Sequence, residues 1–438
     1  MSSASTFICS RAAGPLRGTL RVPGDKSVSH RAIMLAALAD GVSRIDGFLE
    51  GEDTRATARA FASMGVRIEQ PEDCVRVVHG VGMRGLRAPT QPIDCGNAGT
   101  GMRLLCGLLA AQDFDSVLVG DESLSKRPML RVVEPLRRMG GRIETASNGW
   151  PPLVIRGGAK LHGIEYALPV ASAQVKSALL LAGLYADGET VVLEPHPTRD
   201  YTESMLSAFG IKIDHRPGMA RLTGGQSLRA AHIKVPADFS SAAFFITAAS
   251  LVPGSEVLLQ EVGINPRRTG LLQALRLMGA DIDLVNERSS GGEMIADIRV
   301  RAARLHGAEI PDHLVPDMID EFPVLFAAAA AADGITRVTG AAELRVKESD
   351  RLAAMANGLR AAGIDVEETA DGASIRGGVL GSAQIQSHGD HRVSMAFAVA
   401  AQVGSGELRI QDCANVATSF PGFDRLAVSC GMDLRVST

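Results

Sequence analysis

Six short segments place residues suited to anion binding at the starts of apolar, Ala/Leu-rich stretches. They are Asp25-Lys26-Ser27, Asn97-Ala98-Gly99-Thr100, Ser172-Ala173-Gln174, Asp238-Phe239-Ser240-Ser241, Asp320-Glu321 and Asp390-His391-Arg392. If each stretch is a helix, the Ser, Thr, Asn and Asp side chains satisfy N–H groups that lack an intrahelical acceptor. Lys26 and Arg392 do not fit capping, because a cation at the positive end of a helix dipole is unfavourable unless an anion completes the site. A second recurrent position adds Arg55, Lys126-Arg127, Arg199, Arg267-Arg268 and Lys347 with Arg351, while Thr418-Ser419 stand at the sixth. A single Arg is ordinarily a solvated surface charge. Recurrence at one place of a repeated fold is different, since the repeat brings these loops to a common edge. Lys26, Arg31, Arg127, Arg199, Lys347, Arg351 and Arg392 can then converge. Each like-charge pair would cost roughly 2–3 kcal/mol at separations of about 5–8 Å and an effective dielectric of about 20. The chemistry implied is the binding of small, multiply charged anions. Asp320 and Glu348, the latter in RVKESDR, add a candidate proton-transfer pair. The plainer account of Glu348 is a surface ion pair at a helix start.

Other chemistries find less support. His388 and His391 lie three residues apart with no Cys or carboxylate cluster of metal-binding spacing, so no metal is expected. The chain has no GxxxxGK[ST] and no strand-linked GxGxxG, so no nucleotide cofactor is expected either. The formal net charge is −4, from 45 Lys+Arg against 49 Asp+Glu, which argues against a nucleic-acid or membrane-surface binder. The longest apolar run, 322–332, is far short of the roughly 20 residues a membrane span needs. Six cysteines without a CxxC pair read as buried thiols in a reducing compartment. The first 24 residues lack acids but have no apolar signal core, and a cytoplasmic location is expected.

The elements that must position these residues repeat. An apolar helix end, a glycine and an alternating strand recur as SMGVRIE, RMGGRIE, AFGIKID, LMGADID, AAGIDVE and SCGMDLR, with glycines at 65, 140, 210, 279, 363 and 431. Glycine ends a helix at little cost because it accepts positive φ, and the alternation is that of a half-buried strand. Before each motif stand an Ala/Leu-rich helix, a short strand, a polar loop and a second helix. Each unit therefore reads as βαβαββ, with its first helix apolar all round and hence buried. Three units make one domain and six make two. Val22-Pro23-Gly24-Asp25 and Val235-Pro236-Ala237-Asp238 are near copies and read as a two-strand hinge. The expected domains are 24–236, and 1–23 plus 237–438. Like charges in the unliganded protein predict closure about that hinge when anions bind.

VPGDKSVSHRA, CGNAGTGMR, KRP, ASAQVKSALLLAG, IDEFP, RVKESDR, GDHRVSMA and TSFP, in that order, resemble the 5-enolpyruvylshikimate-3-phosphate synthase family of enolpyruvyl transferases. The resemblance implies an α/β fold of two inverse, barrel-like domains, each of three βαβαββ units with buried helices. It implies transfer of the enolpyruvyl group of phosphoenolpyruvate to the 5-hydroxyl of shikimate 3-phosphate, with release of phosphate, in aromatic amino-acid biosynthesis. By resemblance, shikimate 3-phosphate is held by Lys26, Ser27, Arg31, Ser172, Gln174, Arg199, Asp320 and Lys347. Phosphoenolpyruvate is held by Lys26, Asn97, Gly99, Thr100, Arg127, Gln174, Arg351, His391 and Arg392. Asp320 resembles the acceptor of the hydroxyl proton; Glu348 or Lys26 delivers a proton to the methylene carbon. No cofactor is implied. The partners expected are the two substrates and glyphosate as an inhibitor, with no nucleic acid or membrane, and the chain is expected to be a monomer. Ala173, Glu343 and Thr418 depart from other branches of the family, where Ser, Asn and Lys stand. Two alternatives are enolpyruvyl transfer to a UDP-amino sugar and a non-catalytic repeat protein that binds polyanions. The first uses a loop cysteine near the Arg-Pro motif, whereas no cysteine lies between residues 107 and 412 here.

Overall fold

A computed structural model describes residues 5–437. Helices α1 (Lys26–Leu38), α2 (Glu52–Ser63), α3 (Gly99–Leu109), α4 (Leu130–Arg138), α5 (Ala173–Gly183) and α6 (Tyr201–Ala208) belong to one unit, Gly24–Pro236 with Ser290–Glu293. Helices α7 (Phe239–Leu251), α8 (Gly270–Leu277), α9 (Phe322–Ala331), α10 (Arg351–Ala361), α11 (His391–Ala401), α12 (Val416–Ser419) and α13 (Phe423–Ser429) belong to the other, Met1–Pro23 with Ala237–Ser289 and Met294–Thr438. These are called the first and second unit below.

The first helix of each repeat is the one without a polar face. In α9 every residue from Phe322 to Ala330 is buried, and α7 is buried from Phe239 to Ser250. Such helices can only be interior. In the first unit α1, α3 and α5 pack together, and in the second α7, α9 and α11 do. Small residues permit the approach: a methyl on Gly107 of α3 would lie 2.2 Å from the Ala178 carbonyl of α5. Each trio anchors its own continuous apolar core.

Sheets surround these helices, and their orders repeat. In the sheet of Glu165–Ala167, Glu189–Leu193, Met219–Thr223 and Ile213–Arg216, the first pair is parallel and the other two antiparallel. The sheets built on Ser116–Val119 and on Asp40–Asp46 follow the same scheme. The sheet of Ile335–Val338 has three strands, with Glu309 making an isolated parallel bridge to Arg337 where a fourth strand would lie. Strands at the ends of each unit's own segments complete one sheet in each. His232–Lys234 pairs with Asp40–Asp46 in the first, and Thr6–Ser10 lies between Leu408–Gln411 and Asp433–Ser437 in the second. The glycine after each second helix has positive φ, +91° at Gly65 and +105° at Gly431 being examples.

The fold is thus mixed α/β with buried helices. Among the described residues no helix is long and apolar enough to cross a membrane. Five cysteines are buried, but Cys74 is exposed, which corrects the expectation that all six are interior. It sits at a turn just before a strand, where period-2 patterning carries no burial signal.

Candidate active site

Capping holds at four of the six buried-helix starts. Asp25 accepts from Val28 N at 2.9 Å, Ser172 from Val175 N at 3.4 Å, Asp238 from Ser240 N at 3.1 Å, and Asp390 from Arg392 N at 2.9 Å. Ala98 and Glu321 occupy the cap positions of α3 and α9 and make no side-chain cap. Their neighbours are used otherwise.

In the first unit Asn97 is a bridge. Its amide nitrogen donates to Asp121 at 2.7 Å, and its oxygen accepts from Arg127 Nη2 at 2.7 Å. Arg127 is thereby held beside the start of α3, where a methyl on Gly99 would lie 3.0 Å from Arg127 Nη1. Gln174, in the first turn of α5, donates to Thr100 Oγ1 at 2.8 Å and accepts from Arg103 Nη1 at 2.6 Å. Asn97, Gly99, Thr100, Arg127 and Gln174 therefore assemble at the starts of α3 and α5. Arg103 was missed by sequence reasoning, although it lies in the CGNAGTGMR segment four residues after Gly99, on the same helix face.

Arg31 is buried on α1. It donates to Thr202 Oγ1 at 2.7 Å, to Ser177 Oγ at 2.8 Å and to the Ser27 carbonyl at 2.9 Å. All three acceptors are neutral. Burial and the nearby positive charge of Arg199 push its guanidinium down to about 10. Lys26 behaves differently, since it pairs with the buried Asp53. The positive charge of Lys26 at this helix start is thus met by a carboxylate of the chain itself, from the next helix.

In the second unit the carboxylates dominate. Asp320 faces Arg268 Nη1 at 3.3 Å, Lys347 Nζ at 3.5 Å and Arg351 Nη1 at 3.7 Å. Glu348 pairs with Arg351 Nη2 at 2.5 Å, and Asp390 with Arg351 Nε at 2.8 Å. Arg351 opens α10, and only 1% of its side chain is exposed. Burial alone would lower its pKa; Asp390 and Glu348 outweigh that and hold it above its ordinary value. Asp390 is likewise buried, yet Arg351 keeps its carboxyl below the usual range. Arg392 donates to the Asp320 carbonyl at 3.0 Å and lies 3.4 Å from Glu321. Its cationic character at a helix start is again met internally. His391 is buried at the start of α11. Thr418 donates to the Asn415 carbonyl at 2.7 Å.

Asp320, Lys347, Glu348, Arg351 and Arg392 thus form one connected set. Arg268 joins it as a residue noted in the sequence only for its charge; it also reaches Asp238 at 3.2 Å. Chemically, the first unit offers a partly uncompensated cation with ordered donors around it. The second offers two carboxylates of fixed orientation. Among the described residues no group of three or more His, Cys, Asp or Glu is arranged to hold a metal ion.

Known proteins resemble this chain along its whole length. The profile of the family described as EPSP synthase (3-phosphoshikimate 1-carboxyvinyltransferase) matches residues 10–426. A 3-phosphoshikimate 1-carboxyvinyltransferase of Xanthomonas euvesicatoria pv. vesicatoria is 69% identical over 437 residues, covering 100% of this chain and 99% of the relative. An EPSP synthase structure from Acinetobacter baumannii is 51% identical with a TM-score of 0.89, covering 99% of this chain and 100% of that one. The enolpyruvyl transferase NikO from Streptomyces tendae shares the fold, with a TM-score of 0.78 at 17% identity over 99% of both chains. On the family match and the full-length similarity, the chain belongs to the EPSP synthase family, the 3-phosphoshikimate 1-carboxyvinyltransferases.

Proposed function

We propose that this chain transfers the enolpyruvyl group of phosphoenolpyruvate to the 5-hydroxyl of shikimate 3-phosphate and releases phosphate, with the residues above in the following roles. The observation that carries the reading is the 69% identity over the full chain to a 3-phosphoshikimate 1-carboxyvinyltransferase. Arg31, Arg199, Lys26, Ser27, Ser172, Gln174, Asp320 and Lys347 receive shikimate 3-phosphate. The support is electrostatic: burial and then Arg199 depress the pKa of Arg31, and an anionic group of the substrate beside it would offset both effects. Asn97, Gly99, Thr100, Arg127, Gln174, Arg351, His391 and Arg392, with Lys26 shared, receive phosphoenolpyruvate.

The reaction runs by addition and elimination. A proton from Glu348 or Lys26 reaches the methylene carbon and creates cationic character at C2. The 5-hydroxyl attacks C2 while Asp320 takes its proton, forming a tetrahedral intermediate. Elimination breaks the bond from C2 to the phosphate oxygen and removes a methyl proton, so the vinyl group is restored and phosphate leaves. The proton added in the first half is the kind lost in the second, and the hydroxyl proton balances the released phosphate. Ordering both anions against fixed cations supplies proximity, and the paired carboxylates supply acid–base catalysis.

The same reading takes the protein to be a cytoplasmic monomer inhibited by glyphosate. A methyl at Gly99 would press on Arg127 Nη1 at 3.0 Å, Arg103 Nη1 at 3.4 Å and Leu124 Cδ1 at 3.6 Å. Side-chain tips can yield by a few tenths of an ångström, which a short substrate tolerates better than a longer inhibitor. Gly99→Ala should therefore raise the glyphosate inhibition constant by a larger factor than the KM for phosphoenolpyruvate; equal factors would remove the assignment of Gly99.

The decisive experiment measures phosphate release with both substrates and with each alone. Release only when both are present supports transfer. Release from phosphoenolpyruvate alone would make the protein a hydrolase and overturn the reading. Deuterium entry into the methylene group, compared in Lys26→Met and Glu348→Gln, identifies the proton donor as the residue whose loss abolishes it.

A further inference from the structure

The ASAQVKSALLLAG segment contains a lysine to which the reaction gives no role. Lys176 lies inside the first unit with only 2% of its side chain exposed. Its ammonium contacts Glu194 Oε2 at 2.9 Å and Glu203 Oε1 at 2.8 Å, and both glutamates are equally buried. One cation thus faces two carboxylates. The second oxygen of Glu203 is buried without a hydrogen-bond partner, and burial raises the pKa of that carboxyl. Three charges taken out of water are unfavourable unless their arrangement serves something beyond stability, because apolar residues of similar volume would pack as well or better.

What the cluster touches shows what it serves. Lys176 is adjacent to Ser177 on α5, and Glu203 to Thr202 on α6. Lys176 and Glu203 form a charged link between the two helices; Ser177 and Thr202 form a neutral one, with their hydroxyls 2.6 Å apart. The neutral link is the seat of Arg31, which donates to both hydroxyls. The third member acts on the loop before α6. Glu194 accepts from the Thr198 backbone N–H at 3.4 Å and from the Thr198 hydroxyl, while Lys176 donates to the Thr198 carbonyl at 3.4 Å. Thr198 is therefore tied by its N–H, its hydroxyl and its carbonyl, and the next residue is Arg199.

We propose that Lys176, Glu194 and Glu203 are positioning residues for recognition of the phosphorylated acceptor, fixing Arg199 through Thr198 and Arg31 through the Ser177–Thr202 pair. This rests on the assignment of Arg31 and Arg199 to shikimate 3-phosphate. The charges of the set are mutually consistent, since the excess negative charge of Glu203 lies within electrostatic reach of Arg31. Fixing the receiving groups in advance spares the substrate the entropy of ordering them.

The test uses Glu194→Gln, which keeps the side chain's length and leaves Lys176 paired with Glu203, alongside Lys176→Met, Lys176→Arg and Arg199→Met. Thermal melting is measured with steady-state kinetics for each substrate at saturation of the other. The expected result is a KM for shikimate 3-phosphate raised about tenfold in Glu194→Gln and further in Lys176→Met, with partial recovery in Lys176→Arg. The kcat and the KM for phosphoenolpyruvate should stay within twofold. Should Lys176→Met fail to fold, Glu194→Gln decides alone. A purely structural role would lower kcat through loss of folded enzyme and leave both KM values unchanged, which would overturn the proposal. If Arg199→Met raises the KM for shikimate 3-phosphate while Glu194→Gln does not, the positioning role fails and the assignment of Arg199 stands. If Arg199→Met leaves that KM unchanged, the underlying assignment fails and the proposal falls with it.

Discussion

Arg31 and Arg351 are both buried arginines near the start of a helix, and their surroundings are opposite. Arg31 donates to two hydroxyls and a carbonyl, and burial together with Arg199 depresses its pKa to about 10. Arg351 is enclosed by Asp390, Glu348 and Asp320, which outweigh its burial and raise its pKa. The first arrangement leaves positive charge for a ligand to neutralise. The second neutralises itself and uses the cation to aim carboxylates. Position near a helix start does not decide how much of an arginine's charge is left for a ligand; its acceptors do.

The largest expected effect is on chemistry in the second unit. Asp320→Asn and Glu348→Gln should each lower kcat by roughly 10²–10⁴-fold, the usual worth of a general acid or base, with KM for both substrates nearly unchanged. A change confined to KM would show these carboxylates to be binding groups and erase the contrast.

Stability separates the two arginines next. Arg351→Met strands Asp390 in the interior and should cost about 3–5 kcal/mol in denaturant unfolding. Arg31→Met breaks no ion pair but leaves two buried hydroxyls without their donor, so its loss should be smaller, about 1–3 kcal/mol. Similar losses in both variants would mean that Arg31 is compensated after all. Arg31→Met should instead raise the KM for shikimate 3-phosphate by roughly 10–100-fold, the worth of a charge-assisted hydrogen bond, with a smaller change in kcat.

The smallest effect is a pH dependence of stability, set first by burial and then by nearby cations. His30 lies on α1 and its Nδ1 is 2.8 Å from Thr57 Oγ1. Burial, then Lys26 and Arg31, hold its pKa well below the ordinary 6.5. Below pH 6.5 the unfolded chain takes up a proton that the folded chain refuses, so the unfolded state binds more protons and stability falls as pH falls. The contribution is fully present above pH 6.5 and is lost on acidification with a slope of up to about 1.4 kcal/mol per pH unit. His30→Asn should flatten the dependence of Tm on pH between about 5 and 7. An unchanged slope would assign the acid sensitivity to other groups.

Much of the architecture is readable from the chain because local physics writes it there. The six glycines with their alternating strands mark the repeats, since positive φ after a helix favours glycine. Helices such as Phe322–Ala331, apolar on every side, must be interior. Site legibility is more uneven. Asn97, Thr100 and Gln174 were legible from helix starts and Arg127 from the recurrent second loop, whereas Arg103, which holds Gln174, carried no signal beyond its spacing from Gly99. The buried Lys176 cluster was hidden by a sequence context that reads as an ordinary apolar helix.

The repeat, the mixed α/β class, the family and the inventory of cations and carboxylates are all written in the order of residues, because each rests on residue type and short-range spacing. Which cation is already neutralised emerges with folding: Lys26 by Asp53, Arg392 by Glu321, Arg351 by Asp390, and Arg31 by none of its three hydrogen-bond acceptors. The reason is that electrostatic energy depends on distance and burial in space. The partners that set it lie 27, 71, 39 and up to 171 residues apart along the chain.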